Sequence, residues 1–267
     1  MLGAIIGDIV GSRFEWNNYR GKDFSFFSSD CFPTDDTYMT LAVANAILVS
    51  EPDWSDLSDN AIYFMQKIGR KHPNCGFGRG FYNWIFSRYP KPYHSFGNGA
   101  AMRISAVGFA GKDLEDVKWM SRLVTSVTHS HSEGIKGAEA TAVAIYLARI
   151  GKNITEIREY INENYYPMNF SLDEIRSSYK FNETCQGTVP QALMAFFEST
   201  DFEGAIRNAI SIGGDSDTIA AICGGVAEAY YGIPENTRKY AFEFLDKDSL
   251  KILTAFEDRY PSAVMRR

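Results

Sequence analysis

The sequence predicts an all-α fold of ten or so helices, packed as one domain over residues 1–267. Three observations predict it. Apolar residues recur at spacings of three and four along most of the chain. No convincing run of five or more residues alternates as a half-buried strand would. Stop signals such as Gly232 followed by Pro234 fall where a helical pattern ends.

Taken in order, the first thirty residues are rich in Gly, Phe and polar side chains and predict a short helix followed by a loop. Met39, Ala42, Val43, Ala46 and Ile47 predict a helix from Asp36 to about Val49. Ser55 is the expected N-cap of a helix through Ile62, Met65 and Ile68. Residues 72–99 hold Pro73, Pro90, Pro92, three glycines between 76 and 80, and Gly97-Asn98-Gly99, so that stretch is expected to be irregular. Helices resume near Ala100, near Leu114, and after Ser132 with Glu133 in the first turn. Residues 133–150 alternate Ala with Val, Ile, Tyr and Leu at helical spacing, the pattern of a buried helix. Further helical patterns cover 154–163, 189–199, 202–212, 216–231, 235–244 and 247–257. The Ala and Gly content predicts close interhelical packing.

Composition narrows the function classes. Hydrophobic residues make up 45% and charged residues 22%, which excludes disorder, collagen and coiled coil as the main state. A net charge of −6 and a pI near 5.3 argue against direct nucleic-acid or acidic-membrane binding, which needs clustered Lys and Arg. No apolar run approaches the roughly 20 residues of a membrane span. Cys31, Cys75, Cys185 and Cys223 lie far apart with no C-x-x-C. The N-terminus has no basic start and meets Asp8 early. The expectation is a reduced, cytoplasmic protein and, with no oligomer signal, a monomer.

Two segments share a chemical grammar. Thr34-Asp35-Asp36-Thr37 precedes one predicted helix, and Gly213-Gly214-Asp215-Ser216-Asp217-Thr218 precedes another. Capping accounts for one Asp or Thr at a helix start. Two carboxylates within three residues exceed a cap, and their repulsion calls for a cation. Carboxylate and hydroxyl oxygens suit Mg²⁺, Mn²⁺ or Ca²⁺, and neither segment fits an EF-hand. Whether the two converge on one two-metal site depends on tertiary folding.

Ser95-Phe96-Gly97-Asn98-Gly99-Ala100-Ala101-Met102-Arg103 is a loop entering a helix. It is either an amide-lined phosphate cradle, with Arg103 adding charge, or a plain Asn-Gly turn with Arg103 paired to a core carboxylate. Cys75-Gly76-Phe77-Gly78-Arg79-Gly80 is a second segment of that kind. His129 and His131 form H-x-H, but two histidines make no zinc site without a third ligand. Glu15 sits between Phe14 and Trp16, where apolar flanks can raise a carboxylate pKa toward general acid–base use, or it points into water.

Together these segments resemble the ADP-ribosylglycohydrolase family, which includes dinitrogenase reductase-activating glycohydrolase and the ADP-ribosylarginine and ADP-ribosylserine hydrolases. The likeness runs nearly end to end. It comprises Gly3-Ala4, Gly7-Asp8 and Gly11 with Glu15, Thr34 to Thr37, Gly97 to Arg103, Thr128-His129, Thr188-Val189-Pro190 with Ala192-Leu193, and Gly213 to Ala220. The resemblance implies an all-α orthogonal bundle with two Mg²⁺ or Mn²⁺ ions. By position, Thr34, Asp35, Asp36, Asp215, Asp217 and Thr218 would be metal ligands. Ser95, Phe96, Gly97, Asn98, Gly99, Met102 and His129 would bind ADP-ribose. Glu15 matches a glutamate on a mobile flap. No metal position is substituted, which argues against an inactive crystallin-like relative. Residues 164–187 fall outside the clear likeness.

The implied reaction is metal-dependent hydrolysis of the bond from C1″ of ADP-ribose to an acceptor, through an oxocarbenium-like transition state, with Glu15 as general acid–base. Arginine guanidinium leads as acceptor and serine follows. Two rivals are an isoprenoid diphosphate enzyme, although Asp35-Asp36 lacks the third Asp of D-D-x-x-D, and a reader that binds ADP-ribose without cleaving it.

Overall fold

The computed structural model describes residues 1–262; the last five residues of the predicted domain lie outside the described residues. Among those described, every regular element is a helix, as expected. α1 (Leu2–Gly11) is buried along its whole length. A 3₁₀ turn at Ser12–Phe14 leads into an irregular stretch that ends at Thr34, matching the expected loop. α2 (Asp35–Val49) begins where the Thr34 hydroxyl accepts the Asp36 amide. α3 (Leu57–Lys71) does not start at Ser55. The Ser55 hydroxyl donates to Asp53, and Asp56 takes the N-cap position. The local Asp53 acceptor outcompetes the cap.

α4 (Arg79–Phe86) lies within the stretch expected to be irregular. Flanking glycines and prolines masked it, yet Phe81, Trp84 and Ile85 are its buried face at spacings of three and four. The helix expected near Ala100 is a 3₁₀ turn at Asn98–Ala100 followed by α5 (Ser105–Ala110). α6 (Leu114–Thr125), α7 (Ser132–Arg149) and α8 (Ile154–Asn164) fall where predicted. α9 (Leu172–Arg176) is a short addition closed by a capping box from Ser171 and Glu174. α10 (Cys185–Phe197) begins before the predicted residue 189, because Thr184 caps it and Pro190 sits inside. α11 (Phe202–Ile210), α12 (Ser216–Tyr231), α13 (Glu235–Phe242) and α14 (Lys247–Arg259) complete the chain. Gly232 ends α12 with φ +77°, the left-handed stop its sequence predicts.

The core centres on α12, which packs against α1, α7, α10 and α11. Leu2, Ile5, Ile6, Ile9 and Val10 of α1 are fully buried, each stabilising by about 1.5–3 kcal/mol. The closest approach is set by small residues. A Cβ at Gly7 would stand 2.0 Å from the Ala220 carbonyl oxygen, so α1 meets α12 backbone to backbone. That contact brings Asp8 and Gly11 of α1 beside the first turn of α12. No described helix is long and apolar enough to cross a membrane.

Candidate active site

Asp8 organises the start of α2. Its carboxylate accepts the Thr34 amide at 2.9 Å, the Thr34 hydroxyl at 2.6 Å, the Thr37 amide at 3.1 Å and the Thr37 hydroxyl. Four donors fix the first turn, and Asp35 and Asp36 line the cavity beside it. The Asp35 amide donates to the Cys75 carbonyl at 2.9 Å, joining this turn to the second glycine segment.

The second acidic segment reaches its position through backbone shape. Gly213 and Gly214 both adopt left-handed φ, +71° and +76°, which a side chain would strain. The chain then enters α12 with Asp215 at the N-cap position, where its carboxylate makes no capping bond. Instead the Asn98 side-chain amide donates to Asp215 at 2.6 Å and to the Thr188 hydroxyl at 3.1 Å.

The two segments converge. The Thr218 hydroxyl donates to Asp36 at 3.3 Å. Carboxylate oxygens of Asp8, Asp36 and Asp217 lie within 4.8 Å of one another, and so do those of Glu15, Asp215 and Asp217. Burial, then mutual repulsion, holds Asp35, Asp36 and Asp217 well above the usual carboxylate range. Burial raises Asp8 to about 6 and Asp215 to about 7 against their hydrogen bonds. Asp36 Oδ1 and Asp217 Oδ1 are buried with no partner. Buried, unpaired, hard oxygen donors in a repelling group are what a divalent cation satisfies, so these residues fit such an ion.

Glu15 is half-buried at the rim. Burial first, then the charges of Asp217, Asp8 and Glu183, raise it to about 8. Its segment is tied at both ends. Arg13 donates to the Ser28 hydroxyl and the Ser25 carbonyl, and the Asn18 side chain accepts the Gly214 amide at 3.1 Å.

The first glycine loop is pinned by the segment before α10. Asn98 N–H donates to the Glu183 carbonyl at 2.7 Å, Cys185 N–H donates to Phe96, and Gly97 pairs with Thr184 in an isolated bridge. Behind the loop, Arg103 is fully buried. It meets no carboxylate within ion-pair distance among the described residues, so the expected core carboxylate is replaced by Thr128. Arg103 Nη2 donates to the Thr128 hydroxyl at 2.7 Å, and the guanidinium lies over the Phe81 ring. Burial lowers its pKa to about 10. The Thr128 oxygen is 2.7 Å from His129 Nδ1. The same hydroxyl also reaches the Thr125 carbonyl at 3.4 Å, so Thr128 links Arg103, His129 and the end of α6. Burial and Arg103 keep His129 neutral. Its Nε2 edge faces the backbone of Gly97 and Gly99. His131 instead caps α7.

A cavity of about 410 Å³ collects these groups. Glu15, Asp35, Asp36, Ser95, Gly97, Asn98, Gly99, Met102, His129, Asp215, Asp217 and Thr218 all line it. Two expected residues do not. The Thr34 hydroxyl is turned to Asp8, and Phe96 packs beside His131 at 5.2 Å. Asp8, Trp16, Phe181 and Glu183 belong to the site or its rim without having been singled out. Asp8 sat inside a recognised motif, but its partners are tertiary. Phe181 and Glu183 lie in the stretch outside the clear likeness.

The fold and the site define an all-helical enzyme with a buried carboxylate centre beneath a glycine-lined cavity. The chain belongs to the ADP-ribosylglycohydrolase family, whose model matches residues 1–260. Members of this family are hydrolases, and this protein is one. ADP-ribosylhydrolase ARH3 of Homo sapiens is 26% identical over 330 aligned positions, covering 94% of this chain and 90% of the relative. ADP-ribosylarginine hydrolase Tri1 of Pseudomonas putida (strain GB-1) is 27% identical over 281 positions, covering 91% and 73%. A solved structure described as an ADP-ribosylglycohydrolase-related protein complex has a TM-score of 0.65 at 23% identity, with 96% of both chains covered, which shows the shared fold. Family membership removes the isoprenoid diphosphate reading.

Proposed function

We propose that the protein removes ADP-ribose from a modified acceptor, with the guanidinium of a protein arginine as the leading acceptor and serine as the alternative. The observation that carries the reading is the pair of orphaned oxygens, Asp36 Oδ1 and Asp217 Oδ1, beneath the cavity. Asp35, Asp36, Asp215, Asp217 and Thr218 would hold two Mg²⁺ or Mn²⁺ ions, joined by Thr34 only through a lone pair of the hydroxyl whose proton it gives to Asp8. When bound, such ions supply positive charge that fixes the ribose hydroxyls and polarises water.

The protein's own groups do the rest. The Ser95–Gly99 loop and the buried, neutral His129 line the cavity and would face ligand oxygens there, giving an anion a local site despite the net negative charge; the Gly97 and Asn98 amides are already given to Ser95 and Glu183. Met102 supplies apolar surface. Burial and the neighbouring carboxylates favour the protonated form of Glu15 in the ion-free protein. In hydrolysis the C1″–acceptor bond breaks, the water oxygen bonds C1″, and one water proton ends on the acceptor. Glu15 would give its proton to the leaving atom and take the water proton in return. The chain would work as one domain, a cytoplasmic monomer that binds neither nucleic acid nor membrane.

The test is ADP-ribose release from arginine-linked and serine-linked substrates with Mg²⁺, with Mn²⁺ and with chelator. Ion-dependent release from the arginine linkage is expected. Binding of ADP-ribose without release from either linkage would replace the hydrolase reading with a non-catalytic one.

A further inference from the structure

Two large aromatic rings stand at the mouth of the cavity where burial does not account for them. Trp16 is 78% exposed and Phe181 is 39% exposed, yet they stack with centroids 5.4 Å apart and planes 19° apart. Trp16 follows Glu15, and Phe181 lies two residues before Glu183. All four line the cavity over the carboxylate centre. Glu15, Trp16 and Phe181 also line a smaller outer cleft of about 260 Å³ with Asn18, Lys180 and Gly214. The stacked pair is therefore a wall between the reacting centre and the surface, beside the group that protonates the leaving atom. The carboxylate of Glu183 is exposed and has no ion-pair partner among the described residues.

We propose that Trp16, Phe181 and Glu183 form the acceptor subsite and select a planar cation, the guanidinium of arginine, over a neutral side chain. The inference rests on the hydrolase reading above. An indole face is the best aromatic surface for a cation, and a guanidinium stacks flat on it while its N–H fork meets a carboxylate. Trp16 offers a free face, Phe181 backs it, and Glu183 supplies the carboxylate. A serine acceptor gains from neither feature. Lys180 at the outer cleft opposes a cation, so its removal should strengthen arginine binding.

The experiment compares wild type with Trp16→Ala, Trp16→Phe, Glu183→Gln and Lys180→Gln on arginine-linked and serine-linked peptides. Trp16→Ala and Glu183→Gln are expected to raise KM for the arginine-linked peptide about tenfold, with kcat changed less than about threefold. Trp16→Phe should recover most of the loss, and Lys180→Gln should lower KM. Calorimetry in a Glu15→Gln background supplies a readout without turnover. Arginine-linked peptide should bind more tightly than free ADP-ribose, and Trp16→Ala should erase that difference while free ADP-ribose affinity holds. An unchanged KM, a parallel loss of free ADP-ribose affinity, or a wild-type preference for serine overturns the subsite. Wild type that releases ADP-ribose from neither linkage overturns the hydrolase reading alone, because the calorimetric comparison still decides the subsite.

Discussion

The helix starts at Thr34–Thr37 and Gly213–Thr218 use the same residue types and are held in opposite ways. The first is fastened by a side chain: Asp8 takes four donors and leaves Asp35 and Asp36 to face the cavity. The second is fastened by backbone, with two left-handed glycines, the Asn18–Gly214 bond and the Asn98 amide setting its course. Both turns leave their two carboxylates on the cavity; the first leans on a third carboxylate from α1 and the second on glycines and two asparagine side chains. A rigid acidic pair can thus come from an extra acid behind it or from a chain path that only glycine takes.

Asp217→Asn should break the ligand side of this comparison most strongly. Turnover is expected to fall at least about a thousandfold, while the chelated protein melts at a higher temperature at pH 8 because one repelling charge is gone. Retained turnover in a coupled release assay would remove Asp217 from the centre. Scaffold changes come next and fall on stability. Asp8→Ala leaves the Thr34 and Thr37 amides buried without an acceptor and should cost about 2–4 kcal/mol in denaturant unfolding with Mg²⁺ present. Gly214→Ala meets a φ of +76° and places a Cβ 2.5 Å from the Tyr179 ring, so about 1–3 kcal/mol is expected. Equal costs near zero would show that neither fastening matters.

The smallest effect is in pH. Asp8, Asp215 and Glu15 have raised folded pKa values, about 6, 7 and 8. The folded ion-free protein therefore holds protons that the unfolded chain releases at lower pH. Their contribution is present at low pH and is lost as pH rises from about 4 through about 8. A divalent cation favours the deprotonated groups, so the gap in Tm between Mn²⁺-loaded and chelated protein should widen from pH 5.5 to pH 8. A gap that is flat or shrinks would contradict the burial of these acids as a repelling set.

Much of this arrangement was legible in sequence because it is local. Carboxylates and hydroxyls at Thr34–Asp36 and Asp215–Thr218 sit at helix starts, and α2, α7 and α12 are apolar on nearly every face, which marks them as buried helices. The role of Asp8 was not legible. It depends on α1 pressing against α12 at Gly7, and a single Asp in an apolar helix carries no sign of its partners. The short α4 and α9 were lost among turn residues. The Trp16–Phe181 contact joins two segments with no shared local pattern.

The bond from the Gly214 amide to Asn18 has a use beyond fastening. Asn18 lies two residues after Trp16 and three after Glu15 on the same tethered turn, so swinging that turn outward would strip the Gly214 proton of its acceptor. Deuterium uptake at this one amide then becomes a clock for access to the cavity. A ligand that slows the clock is one that seals the rim, and the slowing can be read without any chemistry taking place.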